Sequence, residues 1–168
     1  MTEAAVEAGR RIEQRGLWFE EFEVGATYVH RPGRTVTEAD NVFFTTLTMN
    51  TQPLHLDQAA SEQLAPFHDR LVNSMFTLST LVGLSVNQLT QGTIVANLGF
   101  SEISFPAPVR HGDTLYAETV VTGKRVSKSR QGEGVVTLRH QALNQRGETV
   151  AIAVRQTLVR MQPGGEPA

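Results

Sequence analysis

No Asp, Glu, Lys or Arg occurs between Arg70 and Glu102, and this gap constrains the fold more than any other feature of the chain. Within it, Met75, Leu78, Leu81, Val82, Val86 and Leu89 recur at helical spacing. The spacing predicts one long helix over Ser74 to Leu89, with Gly92 as its C-terminal stop. A bilayer span needs about 20 mainly apolar residues, whereas this stretch carries Asn73, Ser74, Asn87, Gln88 and Gln91. The reading is a helix buried inside a soluble protein, with uncharged polar residues that let it sit within a sheet rather than upon one.

The flanking sequence supplies that sheet. Thr27 to Thr35 is rich in β-formers but interrupted by Arg31-Pro32-Gly33, which predicts an early edge element. Thr37-Glu38-Ala39-Asp40 has the form of a helix start, with Thr37 accepting from free N–H groups and Asp40 at the favourable dipole end. That helix is expected to run to about Met49, with a loop after it. Asp57 is then placed to cap a short helix over Gln58 to Ala65, which Pro66 helps terminate. After the long helix come strands over Thr93 to Phe100, Thr114 to Val126, Gly134 to Asn144 and Glu148 to Met161. Asn144-Gln145-Arg146-Gly147 joins the last two as a hairpin. Helices first and antiparallel strands after them argue for an α+β fold with the helices on one side of the sheet.

The organisation expected is a polar tail or frayed helix over 1–16, one domain over 17–161, and a loose end over 162–168. At 168 residues one core is sufficient. A formal net charge of -2 gives no call for nucleic acid or an anionic membrane. Cysteine is absent, which excludes disulfides, thiolate catalysis and Cys-based zinc sites and suits the cytoplasm. The N-terminus carries Glu3, Glu7, Arg10, Arg11 and Glu13, with no apolar run of signal-peptide length. His30, His68, His111 and His140 lack the spacing of a metal site, so no metal is expected.

The run Met49-Asn50-Thr51-Gln52-Pro53-Leu54-His55-Leu56-Asp57 resembles the signature of the MaoC-like hydratases, G-D-x-N-P-[hydrophobic]-H-x-D. Pro53 and His55 match, while Asn50 stands where the family places Asp. Three further segments carry the resemblance, and two more point to a branch of the family. Thr37 to Phe44 resembles the family's lead-in helix, and Leu71-Val72-Asn73-Ser74-Met75 through Ser79 resembles the start of its central helix. Phe105 to Leu115 is similar to F-x-x-P-V-x-x-G-D-T-L. Lys128-Ser129-Arg130 and the Asn144-to-Glu148 hairpin look most like the branch with mesaconyl-CoA hydratases. The resemblance implies a hotdog fold, a curved antiparallel sheet wrapped around a long helix. It also implies reversible addition of water to a 2-enoyl-CoA thioester, with a short branched or dicarboxylic one such as mesaconyl-CoA as the candidate substrate. Coenzyme A would enter with the substrate, no separate cofactor is implied, and a homodimer or higher homo-oligomer is expected.

That chemistry needs a base for water, an acid for Cα and donors for the enolate-like oxygen. Histidine is the side chain suited to proton transfer near neutral pH, so His55 is the candidate catalyst. Asn50 offers an amide but no titratable proton, and its candidate part is to orient water or His55. Backbone N–H groups near Ser74 and Met75, at the start of the long helix, are candidate oxyanion donors. Asn73 and Ser79 are candidate substrate contacts, against the readings of a helix cap and of an inward hydroxyl bonded to backbone. Lys128 and Arg130 are candidate phosphate contacts for coenzyme A, against the reading of a solvated hairpin loop. Asp57 reads first as a helix cap. For Asn50 the plain alternative is a turn residue bonding its own backbone. Two other functions stay open: an acyl-thioester-binding or partner subunit without catalysis, favoured by Asn50, and a thioesterase on the same fold.

Overall fold

The computed structural model describes residues 10–164. In chain order the elements are β1 (Thr27–Thr35), α1 (Glu38–Leu47), α2 (Pro53–Leu56), α3 (Gln58–Glu62), α4 (Ser74–Leu89), β2 (Ile94–Ser104), β3 (Thr114–Val126), β4 (Glu133–Leu143) and β5 (Thr149–Arg160). The strands form one antiparallel sheet in the order β1-β3-β4-β5-β2. Positions 1–9 and 165–168 of the expected tails lie outside the described residues. Residues 10–15 are exposed and irregular. From Gly16 the chain is tied down, its N–H donating to Gln91 O at 2.8 Å and that of Leu17 to Leu89 O at 3.0 Å.

The central strands show the alternation expected of a sheet with one covered face. On β3, Leu115, Ala117, Thr119 and Val121 are buried, and their neighbours are less so. α4 lies against this face. Its Leu81 is fully buried in a cluster with Leu115, Ala117, Ala142, Ala151 and Ala153. Four alanines on the sheet let the helix approach closely, and Leu81 fills the space they leave. Truncating Leu81 to Ala is worth about 2–5 kcal/mol on the usual scale for a core leucine. A second cluster, built on Phe19, Phe22, Leu89, Val121 and Val159, closes the other end of the helix.

α4 has the boundaries its periodicity predicts. Four elements differ from the sequence reading. β1 is a continuous strand across Pro32, with its register to β3 broken between His30 and Arg34; the edge position tolerates the missing N–H. β2 runs on to Ser104. The loop expected after α1 contains a helical turn, α2, with Pro53 at its first position, where a missing N–H costs nothing. α3 ends at Glu62, short of Ala65. The resulting layout, one long helix held by a curved sheet with α1 to α3 grouped at the helix N-terminus, sets the position of His55.

Candidate active site

α1 starts as its sequence dictates. Thr37 Oγ1 accepts from Asp40 N–H at 3.2 Å, and Asp40 returns a carboxylate to Thr37 N–H at 2.9 Å. The hydrogen bond from Thr37 N–H, with help from Arg34, holds the Asp40 carboxyl below its ordinary range despite partial burial. At its other end α1 stops with Met49 in the left-handed region, φ 57°, and Asn50 N–H donating to Thr45 O at 3.0 Å. This sharp exit turns the chain directly into α2 and points His55 back toward the start of α4.

His55 Nδ1 lies 2.9 Å from Leu71 O. A carbonyl only accepts, so Nδ1 carries the proton and Nε2 keeps its lone pair. His55 lines a cavity of about 340 Å³ with Leu54, Phe67, Leu71, Val72, Ser74, Thr77, Val109 and Val150 and the Phe105-Pro106-Ala107-Pro108 segment. The only polar side chains in that lining are His55, Ser74 and Thr77. Among the described residues no arginine or lysine lines it. Arg110 reinforces one wall from outside, bonding Asp69 at 2.8 Å and Phe67 O at 3.2 Å.

The geometry sorts the residues that sequence singled out. Asn50 is half-buried, and its Oδ1 accepts from Gln52 N–H at 3.0 Å, an Asx turn. The structure brings it into no hydrogen bond with His55 and not into the cavity lining. Asp57 caps α3, accepting from Ala60 N–H at 2.9 Å. Asn73 caps α4, accepting from Met75 N–H at 2.9 Å. Met75 itself is 47% exposed, while Ser74, one position earlier, reaches the cavity. Ser79 lines a different cavity, on the β1 side of α4. Lys128 and Arg130 are exposed between β3 and β4, with Arg130 3.7 Å from Glu133. Their hairpin follows the far end of β3, which spans 13 residues, or roughly 40 Å of strand. The His55 cavity lies near the start of β3, so one chain does not bring these cations to it.

Sequence reasoning missed Asn41, which is fully buried. Its amide N–H groups are shared among His55 O at 3.1 Å, Leu71 O at 3.4 Å and His111 Nε2 at 3.1 Å. Its Oδ1 accepts from Asn73 N–H at 2.9 Å and Thr45 Oγ1 at 3.4 Å. One side chain thus joins the backbone carbonyl of His55, the carbonyl that fixes the His55 tautomer and the cap of α4. The signal was a mid-helix Asn followed one turn later by Thr, an uncharged polar pair on a face due to be buried. His111 takes part only as an acceptor, and burial together with the charge of Arg70 keeps its pKa below the ordinary histidine value. His111 and Gly112 form a turn, with Gly112 at φ 89°. Burial works against ionised Asp113, but hydrogen bonds from Arg110 N–H, Gln145 and Arg146 outweigh it and keep that carboxyl below its usual range.

Comparison with known proteins places this geometry. The model of the MaoC like domain matches residues 20–143. The chain is 32% identical over 157 residues to the mesaconyl-CoA hydratase of Cereibacter sphaeroides, covering 91% of this chain and 44% of that protein. It is also 32% identical over 157 residues to the beta-methylmalyl-CoA dehydratase of Chloroflexus aurantiacus, covering 91% and 43%. The chain therefore spans less than half the length of these curated relatives. A double-hotdog-fold protein of Mycobacterium tuberculosis superposes with a TM-score of 0.83 at 22% identity, over 94% of this chain and 48% of that one. The fold is a hotdog, and with the family model covering most of its length the chain belongs to the MaoC-like family.

Proposed function

We propose that this protein catalyses the reversible addition of water to a 2-enoyl-CoA thioester. The observation that carries the reading is His55, with Nδ1–H spent on Leu71 O and Nε2 left as a base in an apolar cavity at the start of α4. In this mechanism Nε2 takes a proton from water as the oxygen adds to C3 of the substrate. The negative charge that develops on the thioester oxygen lies toward the α4 N-terminus, where Ser74 N–H is the donor, because the Met75 N–H is already used by Asn73. The imidazolium then returns the same proton to C2. The Leu71 carbonyl steadies the imidazolium while it is charged. Proton transfer of this kind is worth about 10²–10⁴-fold in rate.

The cavity is lined mainly by apolar residues and suits a short hydrocarbon or branched acyl group. A dicarboxylic acyl group such as mesaconyl needs a cation for its free carboxylate, and none lines the cavity within one chain. A second copy is the natural source. β2 leaves Leu98, Phe100 and Ile103 partly exposed on a sheet edge, a surface that pairing between copies would cover. The same pairing is the way for Lys128 and Arg130 to approach coenzyme A. The absence of cysteine suits a cytoplasmic setting. A second reading is favoured by Asn50, whose oxygen is held in a turn: an acyl-thioester-binding protein without turnover.

A panel of 2-enoyl-CoA thioesters, including crotonyl-CoA and mesaconyl-CoA, separates these readings. Wild type is expected to remove the enoyl absorbance without releasing free thiol. Turnover only after Asn50→Asp would establish the binding reading, and thiol release would establish a thioesterase.

A further inference from the structure

A second cavity is larger than the one at His55: a groove of about 550 Å³ between α4 and β1, with Phe44, Phe76, Leu84 and Pro32 among its walls. The two cavities share no lining residue. Ser74 and Thr77 face the His55 cavity, whereas Phe76, Thr80, Gly83, Asn87 and Gln88 form a separate stripe along α4. The Arg34 guanidinium lies 5.5 Å from the Phe76 ring, and His30 bonds Gln88 at 2.8 Å. The groove therefore follows the helix from Phe76 to Gln88, about 18 Å.

Two of its features bear on what the groove can hold. Gly83 stands mid-helix, where glycine is a poor former, yet a Cβ there would meet nothing within 4 Å. The chain's own packing does not require glycine at the centre of this groove. The second feature is a row of buried polar groups crossing the sheet beneath α4 and ending at the groove. Arg155 Nε lies 2.8 Å from His140 Nε2, His140 Nδ1 2.7 Å from Thr119 Oγ1, and Thr119 Oγ1 2.8 Å from His30 Nε2. Arginine only donates, so His140 Nε2 accepts and its proton sits on Nδ1, which sets one direction of donation along the row. His140 Nδ1–H donates to Thr119, the Thr119 hydroxyl to His30 Nε2, and His30 Nδ1–H to Gln88 Oε1. With Oε1 engaged by His30, Gln88 still offers its two N–H donors. Arg31 lines the same cavity, stacked on Tyr116 at 4.8 Å, with one N–H donating to His30 O at 2.8 Å and no carboxylate partner among the described residues.

An apolar channel ending in amide donors and a guanidinium bonded to a carbonyl but to no carboxylate selects an apolar chain with an anionic acceptor at one end. We propose that the groove is a second ligand site for a medium-chain aliphatic carboxylate. Its chain lies over Gly83 toward Phe44 and Phe76, and its carboxylate meets Gln88 and Arg31. The site does not depend on the reaction at His55.

Calorimetric titration of the full chain with decanoate, against methyl decanoate as the uncharged control, tests this. Wild type is expected to prefer the acid at least tenfold. Gly83→Leu fills the groove and is expected to weaken decanoate at least tenfold. Gln88→Leu and Arg31→Gln are expected to reduce the preference for acid over ester, with crotonyl-CoA failing to compete. Arg31 is exposed, so its variant keeps the test open if Gly83→Leu does not fold. No decanoate binding to wild type, or unchanged binding in both Gly83→Leu and Arg31→Gln, overturns the proposal. So does competition by crotonyl-CoA, which would put decanoate in the His55 cavity. A change in assembly mass on Gly83→Leu, without a decanoate site in wild type, would make the groove a contact between copies and likewise overturn it. These readings are taken by direct binding, so they stand apart from the outcome of the hydration assays.

Discussion

His55 is useful as a base only while its ring is held in one tautomer and one direction, and Asn41 is the residue that holds the backbone around it. Replacing Asn41 by Leu leaves the His55 carbonyl, the Asn73 N–H and a histidine nitrogen without their partner, and Leu71 O with the His55 Nδ1–H alone. Unsatisfied buried groups cost about 1–3 kcal/mol each, partly relieved by relaxation. Asn41→Leu is therefore expected to lower stability by about 2–4 kcal/mol in urea unfolding. Its enoyl hydration should fall in kcat more than it rises in KM, because the change displaces the base rather than the cavity walls. A KM effect alone would assign Asn41 to substrate binding instead. At this scale the sequence was informative where a residue sits in a spaced motif, as His55 and the caps Thr37, Asp57 and Asn73 do. It was silent on Asn41, because that residue's five partners come from four separate segments and converge only in three dimensions.

Among the elements, the exit from α1 is the most constrained. Met49 takes φ 57° with its side chain 87% exposed, so it bears the left-handed conformation without packing in return. That conformation costs a residue with a Cβ about 1–2 kcal/mol, and glycine far less. Met49→Gly is expected to raise stability by about 0.5–1 kcal/mol, net of the freedom glycine gains in the unfolded chain, as read by the shift in urea midpoint. A loss of stability would show that Met49 makes a contact that is absent from the single chain. The long helix and the four later strands were legible because each has one dominant periodicity. α2 was not, since a single turn of four residues has no period to read and owes its form to Pro53 and the backbone bonds around it. Ser79 and Ser74 lie on one helix and looked alike in sequence; only the placement of β1 and the Phe105–Val109 segment separates their cavities.

For the molecule as a whole, the polar row beneath α4 couples stability to pH. Burial, and then the charges of Arg155 and His30, push His140 down to about 3. Below its ordinary value of about 6.5 the unfolded chain binds a proton that the folded chain refuses until about pH 3. Stability is therefore full above pH 6.5 and falls as pH drops toward 3, by about 1.4 kcal/mol per pH unit for this group alone. His30, lowered chiefly by burial, acts in the same direction. Urea unfolding between pH 7 and 5 is expected to show this slope. His140→Gln keeps a donor and an acceptor but cannot titrate, and should flatten the slope by about 1.4 kcal/mol per unit; an unchanged slope would place the acid-sensitive group elsewhere. The hotdog topology itself was legible through motif resemblance, whereas the row from Arg155 to Gln88 was not, because it forms between strands whose register only the folded sheet sets. The assignment of function rests on His55, and the rate of enoyl-CoA hydration by wild type and His55→Gln, followed by loss of enoyl absorbance, tests it most directly. Wild type should turn over and His55→Gln should be slower by about 10²–10⁴-fold with its fold intact; equal rates in the two proteins would contradict a base at Nε2.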